Sequence, residues 1–326
     1  MTVLGLMGEQ APKIRPSDLL TEDHPVRPYP SLTPVRNSAW VRAGIFILVF
    51  IVGAILYFSI NLAITTSPFI SDVTVEMMEL IGAVLAYLVL VMLTERRVWP
   101  HELAPRRILG LFKGMLLGFL LVSVCIGVLA LIGTYRITAF NPSYVPWSDL
   151  LGMGVVAGIA EEIMFRGIVF RLVEEGLGTW GAVIVSGFVF GIMHWSNPDG
   201  TLWGGIAIAI EAGILFAAVY TVTRSLWWTI GLHFAWNITE GPIFGSIVSG
   251  NGAQNSWLTS TWSGPQILSG GQFGLEGSIV PVILLGALGV FLLVHAQRKG
   301  LMVAPLWIRK RALTRAPAGP TPGPAK

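Results

Sequence analysis

Residues 108–133 read ILGLFKGMLLGFLLVSVCIGVLALIG. A run this long and this apolar meets the roughly 20 residues that a helix needs to cross a bilayer core. Runs of the same kind recur at Trp40 to Ile64, Val75 to Thr94, Leu150 to Val173, Trp180 to His194, Trp203 to Thr223, Leu226 to Phe244 and Ser278 to Ala296. Composition agrees, since 53% of the 326 residues are hydrophobic and only 12% are charged, against about 25% charged in a soluble domain. The expected fold is therefore all-α, a polytopic transmembrane helical bundle of about eight spans.

Polar stretches divide the chain around these runs. Residues 1–38 are rich in proline and carry Lys13, Arg15, Arg27 and Arg36 without a signal-peptide pattern, so they are expected to form a flexible cytoplasmic tail. Residues 39–297 hold the bundle, and residues 298–326 form a basic tail rich in proline, glycine and alanine. Lysine and arginine crowd alternate connections: Arg96, Arg97, Arg106 and Arg107, then Arg171, then Arg224, then Arg298 and Lys299. The intervening connections carry at most Arg136, which places both termini in the cytoplasm by the positive-inside rule. The net charge of +3 is explained by this loop asymmetry and calls for no nucleic-acid partner. A single cysteine, Cys125, allows neither a disulfide framework nor a cysteine metal site.

Charged side chains inside an apolar span are costly, face the bundle interior and mark function. The segment from Leu150 to Val173 holds three: Glu161, Glu162 and Arg166. Glu162 and Arg166 stand at i, i+4 with the acid first, the order that suits an intrahelical ion pair. Glu161 is turned about 100° from Glu162 around the helix and is left for another partner. An ion-pair lock between helices is the plain structural reading of this triad. Two further pairs shift the balance: Phe190 with His194, and His233 with Asn237, each sharing one helix face. A glutamate that activates water, an imidazole that orients it, and an imidazole with an amide aimed at an oxyanion suffice for peptide hydrolysis. The same Glu161, His194 and His233 are candidate ligands for zinc or another divalent metal, and the spacing is not the local HExxH pattern that would decide the matter. Glu211 and Glu240 are further candidates for the same cavity.

Taken in order, Glu161–Arg166 (EExxxR), Phe190–His194 (FxxxH) and His233–Asn237 (HxxxN) resemble the CPBP family of intramembrane proteases, which includes the type 2 CAAX prenyl endopeptidases. The likeness covers about residues 150–242, and Ser196-Asn197-Pro198, Ser225-Leu226-Trp227 and Gly271–Gly277 are similar to bacterial members. The resemblance implies a multi-pass protein of a bacterial cytoplasmic membrane that cleaves membrane-associated protein or peptide substrates. Glu161 would be the base, assisted by His194. His233 and Asn237 would stabilise the oxyanion, and Glu162 would support the site with Arg166 holding it. A non-proteolytic scaffold or immunity-type protein of the same fold, and a proton-coupled transporter, are the alternative functions.

Overall fold

The computed structural model describes residues 41–45, 47–48, 72–95 and 97–315. The expected N-terminal tail, most of the first span, Arg96 and the end of the C-terminal tail lie outside the described residues. What is described is mostly helical, and the chain is an integral membrane protein. Helix α1 is Asp72–Leu88, continued by a π turn at Val89–Thr94, and α2 is Leu109–Leu131. Strand β1 is Tyr135–Phe140. A helical stretch Trp147–Trp195 follows, then α5 at Leu202–Thr223, α6 at Leu226–Ile238, strand β2 at Leu258–Trp262, α7 at Ile279–Arg298 and α8 at Leu306–Arg315.

By length and apolarity, four helical stretches among the described residues can cross a membrane: Pro105–Leu131, Trp147–Trp195, Leu202–Thr223 and Ile279–Arg298. The second is a hairpin. Its residue Gly178 has φ 76° and ψ 175°, outside the helical region. In a straight helix Phe165 and Phe190 would lie roughly 37 Å apart at 1.5 Å per residue, yet their ring centroids are 4.7 Å apart. The chain therefore folds back at Gly178, giving α3 (147–177) and an antiparallel α4 (179–195). A Cβ on Gly178 would fall 2.6 Å from the Val303 carbonyl oxygen, so both the positive φ and the close approach demand glycine there.

The helix α6 is not among the four. It runs over Leu226–Ile238 and on through a π turn at Thr239–Ile243, and it carries His233, Asn237 and Glu240 within that length. It is buried on nearly every side and forms the centre of the bundle rather than an outer span. Close packing on α2 fixes its place. A Cβ at Gly114 would meet the Trp228 carbonyl oxygen at 2.2 Å, and one at Gly231 would meet the Leu111 oxygen at 2.0 Å. Backbone-to-backbone contact through small residues is how helices associate where lipid removes the hydrophobic incentive.

Two features depart from the sequence expectation. Strands β1 and β2 pair antiparallel, Tyr135 opposite Trp262 and Phe140 opposite Leu258, so the chain is not purely helical. Both are rich in β-branched and aromatic residues, but each is short and its partner lies more than a hundred residues away, which leaves no local hairpin signal. Second, several arginines read as loop cations are interior. Arg97, Arg171 and Arg224 are each no more than 1% exposed. Glu95 takes Arg42 at 2.9 Å and Arg97 at 2.8 Å, and also pairs with Arg171. Glu174 accepts from Arg224 at 2.6 Å and from Thr179 at 2.6 Å. These buried pairs gather the end of α1, the α3–α4 turn and the α5–α6 link into one polar lock.

Candidate active site

The backbone departs from regular α geometry where the site is built. Ala157–Glu162 is a short α segment between π turns at Leu150–Val156 and Ile163–Phe170, and α5 carries another π turn at Ala209–Ile214. Such turns leave carbonyls without their usual helical partner and recur at functional sites. Within the π turn of α5 the Ala212 carbonyl, which accepts the Leu215 N–H, also accepts from Arg166 Nη2 at 3.1 Å.

Glu162 and Arg166 form the expected pair, Nη1 to Oε1 at 2.8 Å, and both are essentially unexposed. The same Oε1 lies 3.0 Å from Nδ1 of His233. A carboxylate bound to a guanidinium can only accept, so His233 carries its hydrogen on Nδ1 and turns Nε2 away from Glu162. The Arg166 guanidinium carbon also lies over two rings, 4.9 Å from the Phe190 centroid and 5.0 Å from that of Phe216, where cation–π attraction adds to the ion pair. Phe190 is thus a hub: it packs edge to face on Phe165, tilts against His194 with centroids 4.4 Å apart, and meets the edge of His233 at 6.3 Å.

Glu161 stands apart from this lock. Its side chain is 21% exposed, and Oε2 makes no hydrogen bond among the described residues. That oxygen is itself buried and lies 3.8 Å from Nε2 of His194, too far for a direct hydrogen bond. The opposite nitrogen of His194, Nδ1, is 2.8 Å from the Phe190 carbonyl. A carbonyl accepts only, so Nδ1 carries the hydrogen and a neutral ring offers a lone pair at Nε2.

A cavity of about 740 Å³ opens onto Glu161, His194, His233 and Asn237 together. Asn237 is oriented by its Nδ2, which donates to the Met153 carbonyl at 2.8 Å. The structure therefore brings these four residues to one space and sets Glu162, Arg166 and Phe190 behind it. The hairpin explains how. Residues equidistant from Gly178 face each other, so Glu161 near the middle of α3 meets His194 at the end of α4, and the interior helix α6 carries His233 and Asn237 to the same depth.

Other expectations resolve differently. Glu211 and Glu240 are buried, 1% and 0% exposed, and neither lines the cavity. Among the described residues no group of three His, Cys, Asp or Glu side chains converges at ligand spacing, the candidates Glu161, His194 and His233 included. Sequence reasoning passed over Asp149, Ser249, Asn251 and Gln254, which also line the cavity. It did single out Asn197, within Ser196-Asn197-Pro198, without a role; that side chain lines the cavity too.

Comparison with known proteins matches residues 143–239 to the family model described as Type II CAAX prenyl endopeptidase Rce1-like. No curated protein matches the chain.

Proposed function

Through residues 143–239 the chain belongs to the Rce1-like, type II CAAX prenyl endopeptidase family, and on that premise we propose that it is an intramembrane endopeptidase whose water is activated by Glu161. The observation that carries the reading is the facing of Glu161 Oε2 and His194 Nε2 at 3.8 Å on the wall of a cavity shared with His233 and Asn237.

Each group has a task set by its hydrogen bonds. A water between Glu161 and His194 donates one hydrogen to each acceptor, which leaves an oxygen lone pair directed at a substrate carbonyl carbon. As that carbon–oxygen bond forms, Glu161 takes the proton. The carbonyl oxygen becomes an oxyanion and accepts from the second Nδ2 hydrogen of Asn237. His233 joins as a donor through Nε2 only as an imidazolium, because Nδ1 is already given to Glu162, and the carboxylate of Glu162 is placed to stabilise that charge. Collapse of the tetrahedral intermediate breaks the carbon–nitrogen bond, and the proton held by Glu161 passes to the leaving amine. No step passes through a metal.

The same reading takes the bundle as eight spans with both termini cytoplasmic, its protease core at about residues 150–242 between tails 1–38 and 298–326, in a bacterial cytoplasmic membrane. Its partners are lipid and a membrane-associated protein or peptide, without nucleic acid. The test is hydrolysis of a membrane-anchored model peptide by protein reconstituted in liposomes. Cleavage by the wild type and none by a folded Glu161→Gln variant supports the reading. A cellular phenotype that survives Glu161→Gln overturns it in favour of a scaffold, and proton-driven uptake without cleavage overturns it in favour of transport.

A further inference from the structure

One stretch singled out in the sequence, Gly271–Gly277, takes no part in the chemistry above, although it contains the buried Glu276. Its backbone is tightly knotted. Gly274 has φ 93°, and a Cβ there would lie 1.8 Å from the Ile247 carbonyl oxygen, so this segment is pressed against the loop that follows α6. Phe273 plugs the contact from the other side, 1% exposed and packed in the cluster with Phe165, Phe190 and Ile208.

Glu276 ties the interior helix α6 to the loop that lines the cavity. Its Oε1 accepts from Trp236 Nε1 at 2.9 Å, on α6 next to Asn237. Its Oε2 accepts from Ser249 Oγ at 2.7 Å, on the loop. Ser249 passes the restraint onward, since its carbonyl accepts from Asn197 Nδ2 at 2.7 Å. Beside it, Leu275 N–H donates to Ser246 Oγ at 2.9 Å. The loop so held presents Val248, Ser249, Asn251 and Gln254 to the cavity. Gln254 Oε1 is buried there with no hydrogen-bond partner among the described residues. A carboxamide carries both a donor and an acceptor, the complement of a peptide backbone.

We propose that Glu276 is a positioning residue: by tying Trp236 to Ser249 it fixes the loop half of the cavity wall, which offers Asn197, Asn251 and Gln254 to the backbone of an extended peptide substrate. The substrate part rests on the protease reading; the fixing of the loop does not. Glu276 acts through its bonds and not through its charge. Glutamine preserves both, with Oε1 accepting from Trp236 and Nε2 donating to Ser249 Oγ, which turns from donor to acceptor. Alanine removes both.

The test compares wild type, Glu276→Gln, Glu276→Ala and Ser249→Ala in lipid nanodiscs. Hydrogen exchange of the 246–254 amides reports the loop, and hydrolysis of the membrane-anchored model peptide reports KM and kcat separately. Glu276→Ala is expected to speed exchange across 246–254 and raise KM, each by about tenfold, with kcat nearly held. Glu276→Gln should restore both quantities. Ser249→Ala, which keeps the Trp236 bond, should shift both in the same direction by less, and stands in should Glu276→Ala fail to fold. Unchanged exchange in Glu276→Ala and Ser249→Ala would overturn the proposal, as would a glutamine variant that behaves like alanine. If exchange shifts as expected while the wild type cleaves nothing, the loop role stands and the protease reading, with its substrate wall, falls.

Discussion

Nδ1 of His233 lies 3.0 Å from Oε1 of Glu162, the oxygen that also receives Arg166 at 2.8 Å. One carboxylate oxygen thus joins a structural ion pair to a residue of the cavity. Glu162 cannot be neutralised without stranding Arg166, which is 1% exposed and has no other acid within ion-pair distance among the described residues. Removing one partner of such a pair costs about 3–5 kcal/mol, because an uncompensated charge remains inside. Glu162→Gln is therefore expected to lower the thermal unfolding temperature in detergent markedly, read by scanning fluorimetry.

The neighbouring acid should behave in the opposite way. Among the described residues Glu161 makes no ion pair with an arginine, and its Oε2 has no hydrogen bond to lose. Glu161→Gln should unfold within about 0.5 kcal/mol of the wild type. Hydrolysis should fall by about 10²- to 10⁴-fold, the usual contribution of a general base. Two adjacent glutamates thus separate cleanly when unfolding and turnover are measured on the same preparations.

Asn237 tests the oxyanion role. Asn237→Ala removes one donor while leaving the Glu161–His194 pair in place. The loss should appear in kcat, by about 10²- to 10³-fold, with KM little changed. Steady-state kinetics on the model peptide checks it, and a rise in KM alone would instead make Asn237 a ground-state binding residue.

Much of this site was legible because its costs are local. An acid pair with an arginine one turn later is conspicuous in an apolar span, and the i, i+4 spacing of Glu162 and Arg166 is realised as written. The division between Glu162 and Glu161 follows from helical rotation alone. What stayed hidden depends on contacts distant in sequence. With straight, perpendicular helices, His194 and His233 fall at different depths from Glu161; the break between the Leu150–Val173 and Trp180–His194 runs is written in hydropathy and falls at Gly178, whereas the interior placement of α6 that brings His233 level is not. Strands β1 and β2 find each other only across the folded bundle. Arg171 and Arg224 resemble loop cations because their partners, Glu95 and Glu174, lie 76 and 50 residues away; Arg97 is bound by Glu95 and Glu102 of its own connection, and only the burial of that connection escapes the sequence. Glu276 stands in a glycine-rich stretch whose tight packing gives no periodic signal.

The polar lock at the α1–α2 connection predicts a pH response of stability. Burial by itself would raise the Glu102 carboxyl, but Arg97 binds it through two nitrogens at 2.8 and 3.0 Å and pulls it down to about 2. The unfolded chain titrates this group at about 4.3. Since the folded value is the lower one, the stabilisation is fully present above about 4.3 and is lost as pH falls toward 2. Wild type should accordingly melt well above Glu102→Gln at pH 7, and the gap should close progressively below pH about 4. A gap independent of pH over that range would show that packing, not the ion pair, is what Glu102 supplies.

The position of α6 rests on glycines at its crossing with α2, Gly114, Gly118 and Gly231, and that can be tested without touching any polar group. A methyl at Gly231 would stand 2.0 Å from the Leu111 carbonyl oxygen, and one at Gly114 would stand 2.2 Å from that of Trp228. Both obstacles are backbone, so neither can swing aside as a side chain would. Gly231→Ala must push α6 from α2, carrying His233 away from Glu162. The expected cost is about 1–3 kcal/mol from overpacking, with turnover reduced more steeply than stability because His233 and Asn237 both ride on the displaced helix. Gly127, also on α2, has nothing within 4 Å of its would-be Cβ. Gly127→Ala should leave turnover unchanged and hold or slightly raise the melting temperature, since alanine favours the helix by about 1 kcal/mol. Equal effects at Gly231 and Gly127 would mean that helix propensity, and not close approach, governs the crossing, and the placement of His233 would then need another cause.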